Sequence, residues 1–131
     1  MPTLPWTAGP AAPELTDSES VVMASRFELT TFRQVPAFFV AALRVYRQVR
    51  RADGAIGVTL TAHPLRREFF TLSSWRDRAA IDAMVRTEPH LSVMNGFRDY
   101  TADASFVFWT ITATSRPTWK EAHQRLADQS E

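Results

Sequence analysis

Runs of apolar, β-branched and aromatic residues, some of them alternating with polar ones, mark four segments of the chain as β-strands. Residues 20–30 and 68–75 place their side chains on two faces with a period of two and are rich in Val, Phe and Thr, which suit a pleated surface with a buried face. Residues 56–62 form a third segment, and the turn at 63–65 predicts that it pairs with 68–75 as a hairpin. Residues 103–114 are apolar on both faces, which predicts burial on both sides or a position in an interface.

A helical period of three to four residues follows the first strand. Thr31 and Gln34 have the spacing of a capping box, and Pro36 lies in the first turn, where proline is tolerated. Asp53-Gly54 is a typical helix end. The core-facing positions of this predicted helix are Val35, Phe38, Phe39, Ala42, Leu43, Tyr46 and Val49.

A second helical pattern follows the third strand. Ser74 is its predicted N-cap and Asp77 lies in its first turn. Pro89 cannot continue a helix, so His90 is expected just past its end, followed by a short irregular or helical piece to about residue 100. The apolar stripe of this helix comprises Ala80, Ile81, Met84 and Val85.

The order of these elements is β-α-β-β-α-β, which predicts a ferredoxin-like α+β fold with a four-stranded antiparallel sheet and both helices on one face. Residues 19–114 form this domain. Residues 1–18 are proline-rich and are interpreted as a flexible arm, unless Trp6 docks on the body or on a partner. Residues 115–131 form a last amphipathic helix.

The predicted sheet has a second face that the two helices leave bare. Several strands contribute large apolar side chains to it, and an apolar patch of that size usually marks an interface. We therefore expect a homodimer in which two subunits press these sheet faces together.

Composition excludes several function classes for this chain of 131 residues. A net charge of +1 gives no strong field toward nucleic acid, and no apolar stretch approaches the roughly 20 residues of a membrane span. The absence of cysteine removes disulfides and thiolate chemistry and, with no secretion signal recognised, favours a cytoplasmic location. His63, His90 and His123 lack the spacing of a metal site, so no metal is expected.

Four arginines cluster in the second half of the first helix: Arg44, Arg47, Arg50 and Arg51. Such a cluster can bind anions. The favoured interpretation is a solvated face, because cations stabilise a helix C-terminus.

Several motifs resemble those of a known group. They are the strand end Thr71-Leu-Ser-Ser-Trp75 with Asp77 and Ala80 after it, the Pro89-His90 element, and Gly54-Ala-Ile-Gly57. In these the chain resembles the dimeric α+β barrel superfamily over residues 20–113, and more narrowly its antibiotic-biosynthesis-monooxygenase-like and spheroidene-monooxygenase-like members. Members of the superfamily include cofactor-independent oxygenases of aromatic or polyketide substrates, haem-binding enzymes, cyclases, isomerases and proteins of no known activity.

The resemblance implies a ligand cavity between the sheet and the helices of each subunit. His90 is the candidate catalytic residue, because histidine has the right pKa range to take a proton from a substrate that then reacts with oxygen. A structural histidine, a core tryptophan and an Arg26 paired with Glu28 or Glu68 are the competing interpretations. The candidate substrate-binding residues are Trp75, Arg26, Tyr46, Phe39, Ser73 and Phe97.

Four functions remain open at this point. The first is a monooxygenase-like enzyme without a cofactor, acting on a small apolar aromatic or polyketide-type substrate. The second is a haem protein that uses His90 as the axial ligand. The third is a polyketide cyclase or isomerase with the same pocket, and the fourth is a non-catalytic dimeric ligand-binding module, for which a small cavity is expected.

Overall fold

A computed structural model describes residues 3, 5–11, 19–88, 90–112 and 116–130, with the side chains of 129 and 130 excepted. Pro89, Ser115 and residues 12–18, on which some of the expectations above rest, lie outside the described residues. The strands are β1 (Thr7–Ala8), β2 (Glu19–Leu29), β3 (Ala55–His63), β4 (Glu68–Trp75) and β5 (Thr101–Thr112). The helices are α1 (Val35–Arg51), α2 (Arg78–Val85), α3 (His90–Phe97) and α4 (Trp119–Ser130).

The strands form one antiparallel sheet in the order β1-β3-β4-β2-β5. The last four follow the ferredoxin-like plan, which confirms the predicted α+β class, but the prediction of four strands was wrong by one. The additional strand is β1, which pairs Thr7 with Val58 and Ala8 with Gly57. It has two residues in a proline-rich stretch, too few to show a strand period.

Gly57 allows this N-terminal segment to approach the sheet. A Cβ at this position would lie 2.2 Å from the ring of Trp6, so any larger residue would collide with it. The register of the β3–β4 ladder also shifts between Ala55 and Gly57. Both features that a glycine in a strand indicates, a bulge and a close approach, are therefore present.

The helix starts differ from the predicted ones. Asp77 caps α2 by accepting a hydrogen bond from the Ala80 amide at 2.8 Å, whereas Ser74 is a buried residue of β4. The capping box of Thr31 and Gln34 is absent, because a 3-10 turn over Phe32–Gln34 leads into α1 and neither side chain makes a capping hydrogen bond. Pro36 lies in the first turn, as predicted.

Each face of the sheet has its own cover. On the face that we call the first face, β2 presents Met23 and Phe27 to α1, α2 and α3. On the second face, Val22 and Ala24 pack beneath α4. Ala122 and Leu126 of α4 are 0% and 3% exposed there, so α4 covers much of the face that the sequence predicts to be bare.

The helices are short or strongly amphipathic. Among those that the structure describes, none is both long enough and apolar enough to cross a lipid bilayer.

Candidate functional site

A chamber of about 70 Å³ lies between the first face of the sheet and helices α1, α2 and α3. It forms where the aromatic cluster around Phe38 and Phe69 meets the cluster around Met84 and Trp75, neither of which fills the space between them. Its lining is mostly apolar and includes Met23, Phe38, Val49, Leu60, Met84 and Met94.

A polar strip crosses the floor of this chamber. The hydroxyls of Ser25 and Thr71 hydrogen-bond to each other across β2 and β4. Next to them, the hydroxyl oxygen of Ser73 accepts a hydrogen bond from the Trp75 indole Nε1 at 2.8 Å. Ser73 therefore keeps its own proton available for donation, and it lines the chamber.

His90 lines the chamber from its helical side. It is the first residue of α3 and is half-buried, rather than trailing the end of α2. Burial lowers the pKa of His90 and outweighs a hydrogen bond to the backbone of Val85, which acts in the opposite direction. Its Nδ1 is buried and has no hydrogen-bond partner among the described residues. The imidazole is thus held in its neutral form to lower pH than an exposed histidine, which suits a proton acceptor.

Gln48 of α1 fixes the position of His90. Its amide nitrogen donates to the carbonyls of Met84 at 3.0 Å and Thr87 at 3.1 Å. Its amide oxygen accepts from the backbone N–H of His90 at 2.8 Å. One side chain therefore ties α1 to the end of α2 and satisfies an otherwise unpaired amide at the start of α3.

Tyr46 lines the chamber with its ring, but its hydroxyl is engaged elsewhere. It hydrogen-bonds to the hydroxyl of Thr7 and donates to the carbonyl of Pro5 at 3.2 Å. The N-terminal segment therefore holds the hydroxyl that the sequence assigns to a substrate.

Three aromatic candidates stand behind the chamber wall. Trp75 is fully buried and reaches the chamber only through Ser73. Phe39 packs on Phe69 with ring centroids 6.3 Å apart, and Phe97 packs edge-on to Phe38 at 5.0 Å. These three residues support the lining without belonging to it.

Arg26 is not brought to this site. It lies on the second face, where strand alternation places it with Val22 and Ala24, and it binds three carboxylates: Glu68 at 2.8 Å, Asp103 at 2.9 Å and Glu28 at 3.0 Å. The ion-paired interpretation of Arg26 is the one that the structure supports.

The chamber does not suit a large prosthetic group. A porphyrin is far larger than 70 Å³, so haem does not fit beside His90 in this arrangement. Among the described residues, no three His, Asp or Glu side chains come together in a way that could hold a metal ion.

Sequence reasoning missed Gln48, Ser25 and Met84. Ser25 and Thr71 stand at inward positions between apolar residues of their strands, which is a detectable signal for a polar floor. The helical period places Gln48 on the polar outer face of α1 with the arginines, and only the fold shows what it contacts.

Comparison with models of known protein families identifies the family of this chain. The family described as a domain of unknown function, DUF3291, matches residues 37–130, which is most of the chain. The chain belongs to this family. Among curated proteins, no sequence matches this DUF3291 protein.

Several solved structures share the fold. SnoaB of Streptomyces nogalater, a cofactor-independent oxygenase seen as a point mutant, is 17% identical with a TM-score of 0.58, over 79% of this chain and 98% of its own. A structure described as an antibiotic biosynthesis monooxygenase is 14% identical with a TM-score of 0.62, over 74% and 99%. A protein of Pseudomonas aeruginosa is 16% identical with a TM-score of 0.66, over 75% and 99%.

Identities this low show a common fold and leave the chemistry open. At the level of the fold they confirm the resemblance to antibiotic-biosynthesis-monooxygenase-like proteins.

Proposed function

We propose that this DUF3291 protein is a cytoplasmic monooxygenase-like enzyme of secondary metabolism that oxidises a small apolar aromatic or polyketide-type substrate without a cofactor. The observation that carries the proposal is a neutral, partly buried His90 at the wall of an apolar chamber. Its fold is shared with a protein described as a cofactor-independent oxygenase, which makes this reaction class the natural candidate.

The proposed reaction needs only a base and a dry pocket. His90 removes a proton from a methylene that lies between an aromatic ring and a carbonyl, and the resulting carbanion reduces oxygen. The methylene loses four electrons in becoming a ketone. One oxygen atom enters the ketone and the other leaves as water, so the substrate itself supplies every electron.

The chamber must enlarge before it can hold such a substrate. A volume of about 70 Å³ holds roughly two water molecules, whereas benzene occupies a cavity of about 150 Å³. Helix α3 is the element expected to move, because none of its residues is fully buried and the space beside Gly96 is open. His90, Val93 and Met94 would move with it.

Oxygen consumption with anthrone, a flat aryl ketone with an acidic methylene, tests the proposal. We expect His90→Ala to lower the rate by about 10²- to 10⁴-fold, the usual contribution of a general base. His123→Ala is the matched control, because His123 lies on α4 at the second face. Equal rates for the wild type and His90→Ala, with both folded, would remove His90 from the mechanism.

A second candidate function is a non-catalytic ligand-binding module. The small volume of the chamber favours a role without catalysis, because a site that turns over a ring-sized substrate is expected to approach the roughly 300–1,000 Å³ of ordinary ligand pockets. Saturable binding of anthrone without oxygen consumption would support this candidate, and a rearranged product formed without oxygen would indicate a cyclase or isomerase.

A homodimer through the second face is also part of the proposal. Its support is the apolar surface that β2, β4 and β5 contribute there. Because α4 and Trp6 occupy this surface, we propose that α4 is exchanged between two copies. Sedimentation of the full chain at increasing concentrations is expected to show a dimer, and a single subunit throughout would contradict it.

A further inference from the structure

An open groove of about 800 Å³ runs between α1 and α2 on the outside of the chamber. Arg44, Arg47 and Arg51 line its α1 side, one turn apart. Ala79 and Ala83 line its α2 side, where their small side chains leave room above the guanidinium groups. We call this feature the arginine groove.

The carboxylates of the arginine groove already have partners. Asp53 lies 3.3 Å from Arg76, and Asp77 caps α2 while lying 3.6 Å from the same arginine. Glu88 accepts hydrogen bonds from the backbone and the hydroxyl of Ser92, which lower its pKa.

As a result, Arg44, Arg47 and Arg51 have no ion-pair partner among the described residues. Stabilisation of a helix end does not account for them all, since that effect is confined to the last turn and Arg44 lies about two turns before the end of α1. Three guanidinium groups that form no ion pair with a described residue line one groove and are available to an anion.

The arginine groove and the chamber share a wall. Met84 lines both of them, and Gln48 and Thr87, which line the groove, belong to the hydrogen-bond set that holds His90. The two sites therefore lie on opposite sides of Met84, and a molecule that spans them must displace this side chain and the neighbouring Gln48.

We propose that the arginine groove binds the carboxylate or phosphate group of the substrate, and that the apolar part of the same molecule enters the chamber. This inference rests on the proposed function and adds to it a substrate class, an apolar ring that carries an anionic tail. Arginine suits the task because its planar guanidinium binds both oxygens of such a group at once.

The first test titrates inorganic phosphate into the full chain at low ionic strength, followed by amide NMR shifts. We expect saturable amide shifts in α1 and α2. The affinity for phosphate should fall at least tenfold in the triple variant Arg44→Gln, Arg47→Gln, Arg51→Gln. The control triple variant, Arg33→Gln, Arg66→Gln, Arg86→Gln, removes the same charge from outside the groove. Unsaturable binding, or an equal loss in both triple variants, would overturn the proposal.

The second test compares 5-phenylpentanoate with 5-phenylpentan-1-ol, which have the same ring and length but differ in charge. We expect the carboxylate to bind at least tenfold more tightly than the alcohol, and this advantage to vanish in the groove triple variant.

The outcomes separate the two proposals. If the alcohol binds at the chamber and the carboxylate binds no more tightly than the alcohol, the groove inference is wrong while the proposed ligand site in the chamber stands. If phosphate binds at the groove and neither phenyl compound binds the chamber, the link between the two sites is overturned together with the proposed ligand class.

Discussion

The two faces of the sheet are packed to different degrees. On the second face, Val22, Ala24 and Leu72 are almost inaccessible beneath α4, and the indole of Trp6 closes onto Gly57. On the first face, the helices α1, α2 and α3 leave a chamber at the centre of their contact. Interiors normally pack to the density of organic crystals, so the gap beside the half-buried His90 departs from ordinary packing.

Under the proposed function, stability and ligand binding are divided between the two faces. The second face supplies close apolar contact and holds the sheet in shape. The first face is packed less closely and contains a chamber that is lined by His90, Ser73 and Thr71. The following predictions test this division.

The largest expected effect comes from truncation on the second face. Leu126→Ala should lower the free energy of unfolding by about 2–5 kcal/mol, because it leaves a cavity under α4. Met94→Ala, at the half-buried wall of the chamber, should cost well under half as much. Urea denaturation measures both. A larger loss for Met94→Ala would contradict the division.

Enlarging an alanine on a helix sharpens the comparison. Ala122→Leu inserts three carbons where α4 meets the sheet and should cost about 1–3 kcal/mol. Ala42→Leu makes the same change on α1 at the chamber wall, where space exists, and should be neutral or stabilise by up to about 1 kcal/mol. Ala42→Leu should also abolish binding of anthrone. Equal destabilisation by the two changes would mean that the chamber is not a true void.

The contact between Trp6 and Gly57 gives a third comparison. Gly57→Ala places a Cβ 2.2 Å from the Trp6 ring and should cost about 1–3 kcal/mol. In a Trp6→Ala background the same change should be nearly neutral, so that a double-mutant cycle isolates the contact. Full additivity of the two changes would show that the N-terminal segment does not dock there.

The smallest effect is a pH dependence with a contribution from each face. Burial lowers the pKa of His90 on the first face, and burial together with nearby His63 lowers the pKa of His123 on the second. Below pH 6.5, the ordinary pKa of histidine being about 6.5, the unfolded chain binds more protons than the folded chain. The free energy of unfolding should therefore fall as the pH drops toward the lowered pKa values of the folded state. His90→Gln and His123→Gln should each flatten the decline, as measured by denaturation at pH 7.5 and 5. An unchanged slope in both variants would contradict these assignments.

The long elements were predictable because β-branched and aromatic residues mark the strands and a period of three to four residues marks the helices. The bounds of β4 were predicted to the residue, and those of β2 and β3 to within one. β1 was not predicted, because two residues cannot display a period and its partner strand lies about fifty residues further along the chain. The packing of α4 on the second face was not predicted for a different reason. An amphipathic stripe on α4 predicts that one side of the helix is buried, but not which surface it packs against.

The site was partly predictable. His90, Tyr46 and Ser73 lie together at the chamber, whereas Arg26 was misplaced because both faces of β2 carry apolar residues and alternation alone does not tell which one meets the helices. Gln48 was unpredictable, because its three hydrogen-bond partners are backbone groups of another part of the chain.

The distribution of tryptophans provides a built-in optical probe. Trp6, Trp109 and Trp119 belong to the second face, and Trp75 alone of the four belongs to the first. A variant with phenylalanine at the other three positions would emit from one shielded indole, whose N–H is bonded to a residue that lines the chamber. Its fluorescence would then report directly, without any label, when a guest molecule arrives or leaves.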